Sequence, residues 1–155
     1  MPAAPAIQPP RTPAEWAAYY RLRYAVLRAP WQQPPGSERV PADDEPGTMH
    51  ALLLADALAA DATPEALAVG MLQPTGAGQG QIRFMAVAPA AAGTGLGRHV
   101  VAWLEQQARA AGLREIVLHS REAAVGFYER LGYVVVEPSH LLFGVIPHFL
   151  MRKEL

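Results

Sequence analysis

The stretch AVAPAAAGTGLGRHVV, Ala86 to Val101, sets Gly93, Gly95 and Gly97 within five residues and runs straight into a helical pattern. Glycine loses more conformational freedom on folding than any other residue, so such a run needs a compensating gain. At a helix mouth the usual gain is close approach of bare backbone N–H groups to an anion. A dinucleotide fingerprint requires Gly-x-Gly-x-x-Gly. Counted from Gly93 the sixth position is Arg98, and from Gly95 it is Val100, so that fingerprint fails. A nucleotide-hydrolase phosphate loop requires Gly-Lys-Ser/Thr, and the one lysine, Lys153, is far from this loop. A plain strand-to-helix turn stays open as the alternative to a different anion cradle.

The flanks show how the loop is mounted. Before it, QIRFMAVA reads as a strand, joined through the glycine-rich hairpin link PTGAGQG to an earlier strand in TPEALAVGMLQ. HALLLADAL, from His50, reads as a buried strand before that. After the loop a helix is expected from Leu96 to about Ala111, with Gly112 as its C-terminal stop. REIVLHS then reads as a strand, REAAVGFYERLG as a short helix and YVVVE as a strand, and the tail HLLFGVIPHFLMRKEL as a last strand broken near Pro147. At the front, Thr12, Pro13 and Glu15 form a capping-box pattern. The helix they open sets Trp16, Tyr19 or Tyr20, Arg23 and Leu27 at helical spacing. The order predicts one mixed sheet with about four helices on its faces.

Composition narrows the function classes. With 13 basic and 14 acidic residues, the chain offers neither a nucleic acid nor an anionic membrane surface a charged partner. The absence of cysteine excludes disulfides, thiolate zinc sites and a cysteine nucleophile. No metal is expected, and a cytoplasmic location fits. No apolar run approaches the length of a membrane span. Residues 1–11 are read as a disordered Pro/Ala-rich leader and residues 12–155 as one domain. The acidic run Asp43 to Glu45 is read as a solvated loop.

The strand QIRFMAVAP, the loop AAAGTGLGR, the strand IVLHS and then FYERLGY together resemble the GNAT superfamily of acyl-CoA N-acyltransferases, across roughly Gln81 to Val136. LRYAVLRAPWQQPPGSE, DDE, His50 and the closing GVIPHFLMRKEL resemble a small bacterial single-domain subgroup. The resemblance implies an α/β (α+β) fold with a mixed, mostly antiparallel sheet and helices on both faces. It implies acetyl-CoA as donor, a primary amine of a small molecule or protein as acceptor, and the option of a homodimer. The non-catalytic alternative is an acyl-CoA-binding or regulatory module of the same fold.

The same resemblance implies the site residues. Gly93, Thr94, Gly95, Leu96, Gly97 and Arg98 would cradle the pyrophosphate of coenzyme A, and the backbone of Met85, Ala86 and Val87 would pair with its pantetheine arm. Phe127 is counted with the coenzyme-contacting residues, and Tyr128 matches the family's general acid. A phenol with its pKa near 10 stays neutral at working pH and can protonate a departing thiolate. A backbone N–H near Val87 would meet the oxyanion. For the base, His140 is the first choice, with His119, Glu122 or a water relay beside it. Three positions depart from the family pattern: Ala92 for Gln or Arg in the loop, Ala123 for Asn before the short helix, and Gln81 for the strand glutamate of some members. Arg83 on the central strand would favour a carboxylate-bearing acceptor if it faces the cleft.

Overall fold

The computed structural model describes residues 6–56 and 62–155. Its elements, in chain order, are β1 (Ile7–Gln8), α1 (Pro13–Leu27), β2 (Met49–Leu54), β3 (Ala66–Gly76), β4 (Gln79–Val87), α2 (Leu96–Ala110), β5 (Glu115–Arg121), α3 (Val125–Arg130), β6 (Val134–Leu142) and β7 (Ile146–Glu154). The strands form one sheet in the order β1-β2-β3-β4-β5-β7-β6. Every neighbouring pair is antiparallel except β4 and β5, which α2 connects and which run parallel. The mixed, mostly antiparallel sheet with helices on both faces is therefore present, with three α-helices among the described residues and short 3₁₀ turns between elements.

Side chains alternate across a strand, and β2 shows the consequence. Ala51 and Leu53 join the core under α2, with Val100, Val101, Leu104 and Ala108 of that helix, while Leu52 joins Ala18, Tyr19 and Leu22 of α1 on the opposite face. Burial on both faces explains why HALLLADAL reads as a continuous apolar run. Its last residues, Ala57 and Leu58, lie outside the described residues.

The helix boundaries follow their local chemistry. Thr12 Oγ1 accepts from the N–H of Glu15 at 3.1 Å, while the Glu15 carboxylate accepts from the N–H of Arg11, one residue upstream of the reciprocal capping-box bond. Gly112 and Gly132 follow α2 and α3 with φ of +81° and +96°, and the next amides close back on Ala108 O and Tyr128 O. That is the Schellman closure expected of glycine past a helix end.

Four readings need correction. Ile7 and Gln8 are not a loose leader: they pair with Leu53 and Leu52 and lengthen the sheet by an edge strand. The reading of residues 1–5 as leader lies outside the described residues. Pro147 does not break the last strand; it stands opposite Leu141 inside the β6–β7 pair, beside an irregularity in β6 that tolerates the missing N–H. β6 runs on to Leu142, so His140, Leu141 and Leu142 belong to this strand and not to the last one. Asp43 is not solvated. Its carboxylate is buried against Arg23, which is 0% exposed.

That pair heads a buried polar network. Arg23 Nη1 donates to both Asp43 oxygens at 3.0 Å and to Glu38 O at 2.9 Å, and Nη2 donates to the Tyr19 hydroxyl at 2.6 Å. Tyr19 Oη lies 2.7 Å from His50 Nδ1, and His50 Nε2 lies 3.0 Å from Asp43 O. Asp43 O can only accept, so His50 Nε2 donates to it; the Tyr19 hydroxyl faces both His50 Nδ1 and Gly70 O, and in the neutral ring Nδ1 is the acceptor. Burial lowers the His50 pKa and favours that form. The guanidinium also covers the Phe84 ring at 4.2 Å from its centroid. Removing one partner of a buried ion pair strands the other's charge and typically costs about 3–5 kcal/mol. Asp43→Ala is accordingly expected to lower the unfolding free energy by about that amount in a urea titration; a loss within about 0.5 kcal/mol, the range of ordinary surface changes, contradicts the network.

Candidate active site

β4 pairs with β5 only from Gln79–Glu115 to Ile82–Leu118. Beyond that point the strands part. β5 continues with β7 as far as Arg121–His148, and β4 continues with β3 as far as Val87–Ala68. A bulge marks the parting: Ala86 stands opposite Val69 and Arg83 opposite Met71, so Phe84 and Met85 together face Gly70. Phe84 takes φ +55°, a left-handed conformation that L-residues avoid. From Arg83 to Val87 the β5-facing edge of β4 has no strand partner. Backbone N–H and C=O groups without partners are costly unless water or a ligand meets them.

The gap opens into a cavity of about 880 Å³. One end is the glycine loop and the start of α2; the other is the end of α1, the turn after it and the β6–β7 hairpin. Gly93 and Gly95 hold φ of +78° and +85°, which fixes glycine at both positions. Gly97 has a different reason to be glycine. A Cβ there would lie 3.3 Å from the Phe127 ring and 3.5 Å from Val87, so its bareness lets α2 sit close to α3 and β4.

Among the described residues no backbone N–H between Gly93 and Arg98 reaches a backbone acceptor; the first such bond runs from His99 N to Gly95 O. The N-cap, Gly95, has no side chain to serve them. Free amides at the positive end of a 15-residue helix are groups suited to receive an anion. Gly93, Gly95, Leu96 and Gly97 line the cavity. Thr94 and Arg98 do not: the Thr94 hydroxyl donates to Ala91 O, and Arg98 is exposed. Ala92 and Ala123 line it too, as alanines that add no hydrogen-bonding side chain.

Met85, Ala86, Val87, Phe127 and Tyr128 all line the cavity. Tyr128 is 7% exposed and packs edge-on against Phe127 and Tyr133, with centroids at 4.9 and 5.8 Å. Burial raises its pKa well above the ordinary phenol value, although Arg121 pulls the other way, so it is protonated at neutral pH. Three histidines come together on adjoining strands. The His140 ring stacks on His148 at 4.5 Å and lies 5.4 Å from His119. His148 Nδ1 is 2.9 Å from Ile146 O, which assigns the proton to Nδ1 and leaves Nε2 as an acceptor. Burial and the other two rings lower the His119 pKa; burial, with His140 and Arg121, lowers that of His148. Among the described residues no histidine and carboxylate group is arranged to hold a metal.

Gln81 lines the cavity, where an amide cannot act as a base, and Glu122 does not line it. The lining also contains Arg28, Trp31, Phe84, Ser120, Arg121, Leu142 and Ile146. Sequence reading did not pick these out. Arg28 and Trp31 sit in the Pro-broken segment after α1, and Ile146 and Leu142 become neighbours only through the hairpin.

A family model described as Acetyltransferase (GNAT) family matches residues 16–133. The Bacillus subtilis (strain 168) protein YyaT is 41% identical over 61 residues, which cover 39% of this chain and 40% of that protein. The chain thus aligns with about two fifths of that relative's length. Over nearly the whole chain the fold matches a Lactobacillus plantarum protein, with TM-score 0.79, 27% identity and 99% of each chain covered. It matches an acyl-CoA N-acyltransferase from Pseudomonas aeruginosa with TM-score 0.79 and 25% identity, over 96% of this chain and 97% of that one. The family match spans the parted strands, the glycine loop and Tyr128 alike: this chain belongs to the GNAT acetyltransferase family.

Proposed function

We propose that this chain transfers an acyl group, acetyl in the first instance, from acyl-CoA to a primary amine. The observation that carries the reading is the run of unpaired amides from Gly93 to Arg98, set at one end of a cavity whose wall also holds Tyr128. These amides and the helix N-terminus suit the pyrophosphate of the donor. The open edge of β4 at Met85, Ala86 and Val87 suits the amide groups of a pantetheine arm, which would bond to it as an added strand does. Bound in this way, the donor supplies an activated thioester beside Tyr128.

The residues then divide the proton work. The acceptor nitrogen must be neutral to attack the acyl carbon, and its proton goes to the histidine cluster. There His140 lies between His119 and His148, two imidazoles biased toward the neutral form. A backbone N–H near Val87 faces the oxygen that gains charge. As the carbon–sulfur bond breaks, the Tyr128 hydroxyl gives its proton to the sulfur and is later reprotonated from solvent. Its raised pKa keeps it in the donating form.

Two variants separate binding from chemistry. Tyr128→Phe is expected to bind acetyl-CoA like the parent and to lose about 10²–10⁴-fold in turnover. Unchanged turnover in a chemistry-limited assay contradicts the assigned role. Gly95→Asn keeps a residue that tolerates left-handed backbone while crowding the amides, so calorimetry should show CoA binding weakened about tenfold or more with the fold retained. Parental affinity in that variant contradicts the cradle.

A further inference from the structure

The acceptor end of the cavity has a charge pattern that the acyl-transfer reading does not use. Among the described residues no aspartate or glutamate lines the cavity, whereas Arg28, Arg83 and Arg121 do. Arg28 and Arg83 both lie against one aromatic ring, their guanidinium carbons 5.3 and 5.1 Å from the Phe84 centroid. Both are only partly exposed, and among the described residues neither makes a salt bridge. Arg28 gives Nε to Ser37 O and Nη1 to Leu27 O, which leaves Nη2 free. Arg83 makes one long bond, Nη1 to Gln73 Oε1 at 3.3 Å, and Gln73 passes its own amide to Glu45. Asp43 acts on Arg83 only from a distance, because its carboxylate is committed to Arg23.

Burial lowers the pKa of both arginines, and each is also pushed down by Arg23. Three guanidiniums thus crowd one ring; Asp43 is bound to Arg23, while Glu38 acts on Arg28 and Glu45 on Arg83 without a salt bridge to either. A bound anion would relieve that crowding, and a free planar N–H fork is the group that recognises a carboxylate. An acceptor that is only a cation would meet three positive side chains and, among the described residues, no carboxylate on the cavity wall. Around the pair, Val26, Leu27, Trp31, Leu142 and Ile146 give an apolar wall.

Resting on the acyl-transfer reading, we propose that the acceptor is a small primary amine that carries a carboxylate and an apolar side group, with Arg28 and Arg83 as the specificity-determining residues that hold the carboxylate. An apolar α-amino acid has this chemistry. Its carboxylate sits between the two guanidiniums, its side group against Trp31 and Ile146, and its nitrogen toward the histidines. Nitrogen bonds to the acyl carbon, the carbon–sulfur bond breaks, and the products are the N-acyl acid and free CoA.

The test compares matched acceptors with acetyl-CoA: L-leucine and L-phenylalanine, their amides, and isoamylamine and phenethylamine, which lack the carboxylate. O-phosphoethanolamine serves as a phosphate-bearing control. A bidentate charged contact predicts kcat/KM about tenfold or more higher for the acids than for their amides or decarboxylated partners. In Arg83→Gln that ratio should fall by about tenfold through KM, and Arg83→Lys should restore part of it. Equal or better use of the uncharged partners, preference for the phosphate compound, or a ratio unmoved in Arg83→Gln would overturn the proposal. So would failure of both acids while calorimetry shows acetyl-CoA bound, and in that case acyl transfer itself stands. If acetyl-CoA does not bind at all, the acyl-transfer reading falls, and this proposal with it.

Discussion

An unpaired strand edge inside a protein is a constraint that something must satisfy, and this fold is arranged around one. β4 leaves β5 after Ile82 and Leu118, while each keeps its other neighbour. The sheet therefore cannot close the gap by shifting either strand without breaking a second ladder. Water or a ligand has to take up the backbone groups that face it. The connection between these two strands is the glycine loop and α2, so the same departure that opens the cavity also puts a helix N-terminus at its mouth. One topological fact supplies both the strand edge and the helix N-terminus with its free amides.

The parting is held open from the far side of the sheet. The two-against-one bulge at Gly70 turns Phe84 into left-handed backbone, a conformation that costs on the order of 1–3 kcal/mol and persists only where its surroundings fix it. Arg23 supplies that fixing. It stacks on Phe84 while Nη1 and Nη2 are tied to Asp43, Glu38 O and Tyr19, so α1, the loop after it and β4 are joined through one side chain. At the other flank the only lysine, Lys153, links β7 to Glu105 of α2, and Tyr133 donates to the same carboxylate. Two buried carboxylates, Asp43 and Glu105, are thus used to pin elements around the cavity.

Much of this was legible in the sequence where a residue has one dominant physical use. Gly93, Gly95 and Gly97 marked a loop at a helix mouth, Gly112 and the glycine after FYERL marked helix ends, and the apolar run HALLL marked a buried strand. The stripe of Trp16, Tyr19, Arg23 and Leu27 already placed an arginine on the inward face of α1, though not its partner. What stayed hidden depends on chain crossings. β7 inserts between β5 and β6, and that insertion brings His119, His140 and His148 together from distant stretches. The reading of Asp43 as solvated failed because a charge run shows composition but not what lies beneath it. The position of Glu122 failed more simply: the turn before α3 carries it away from the cavity.

The central claim is that the bare edge of β4 and the amides of the glycine loop are one continuous site for an acyl-CoA. Hydrogen–deuterium exchange with and without acetyl-CoA tests it most directly, because it reads those backbone groups rather than a side-chain variant. The account predicts slowed exchange in peptides covering Met85 to Val87 and Gly93 to Arg98 together, with the β1–β2 edge unchanged. Binding of acetyl-CoA that leaves both stretches exchanging as in the free protein would contradict it.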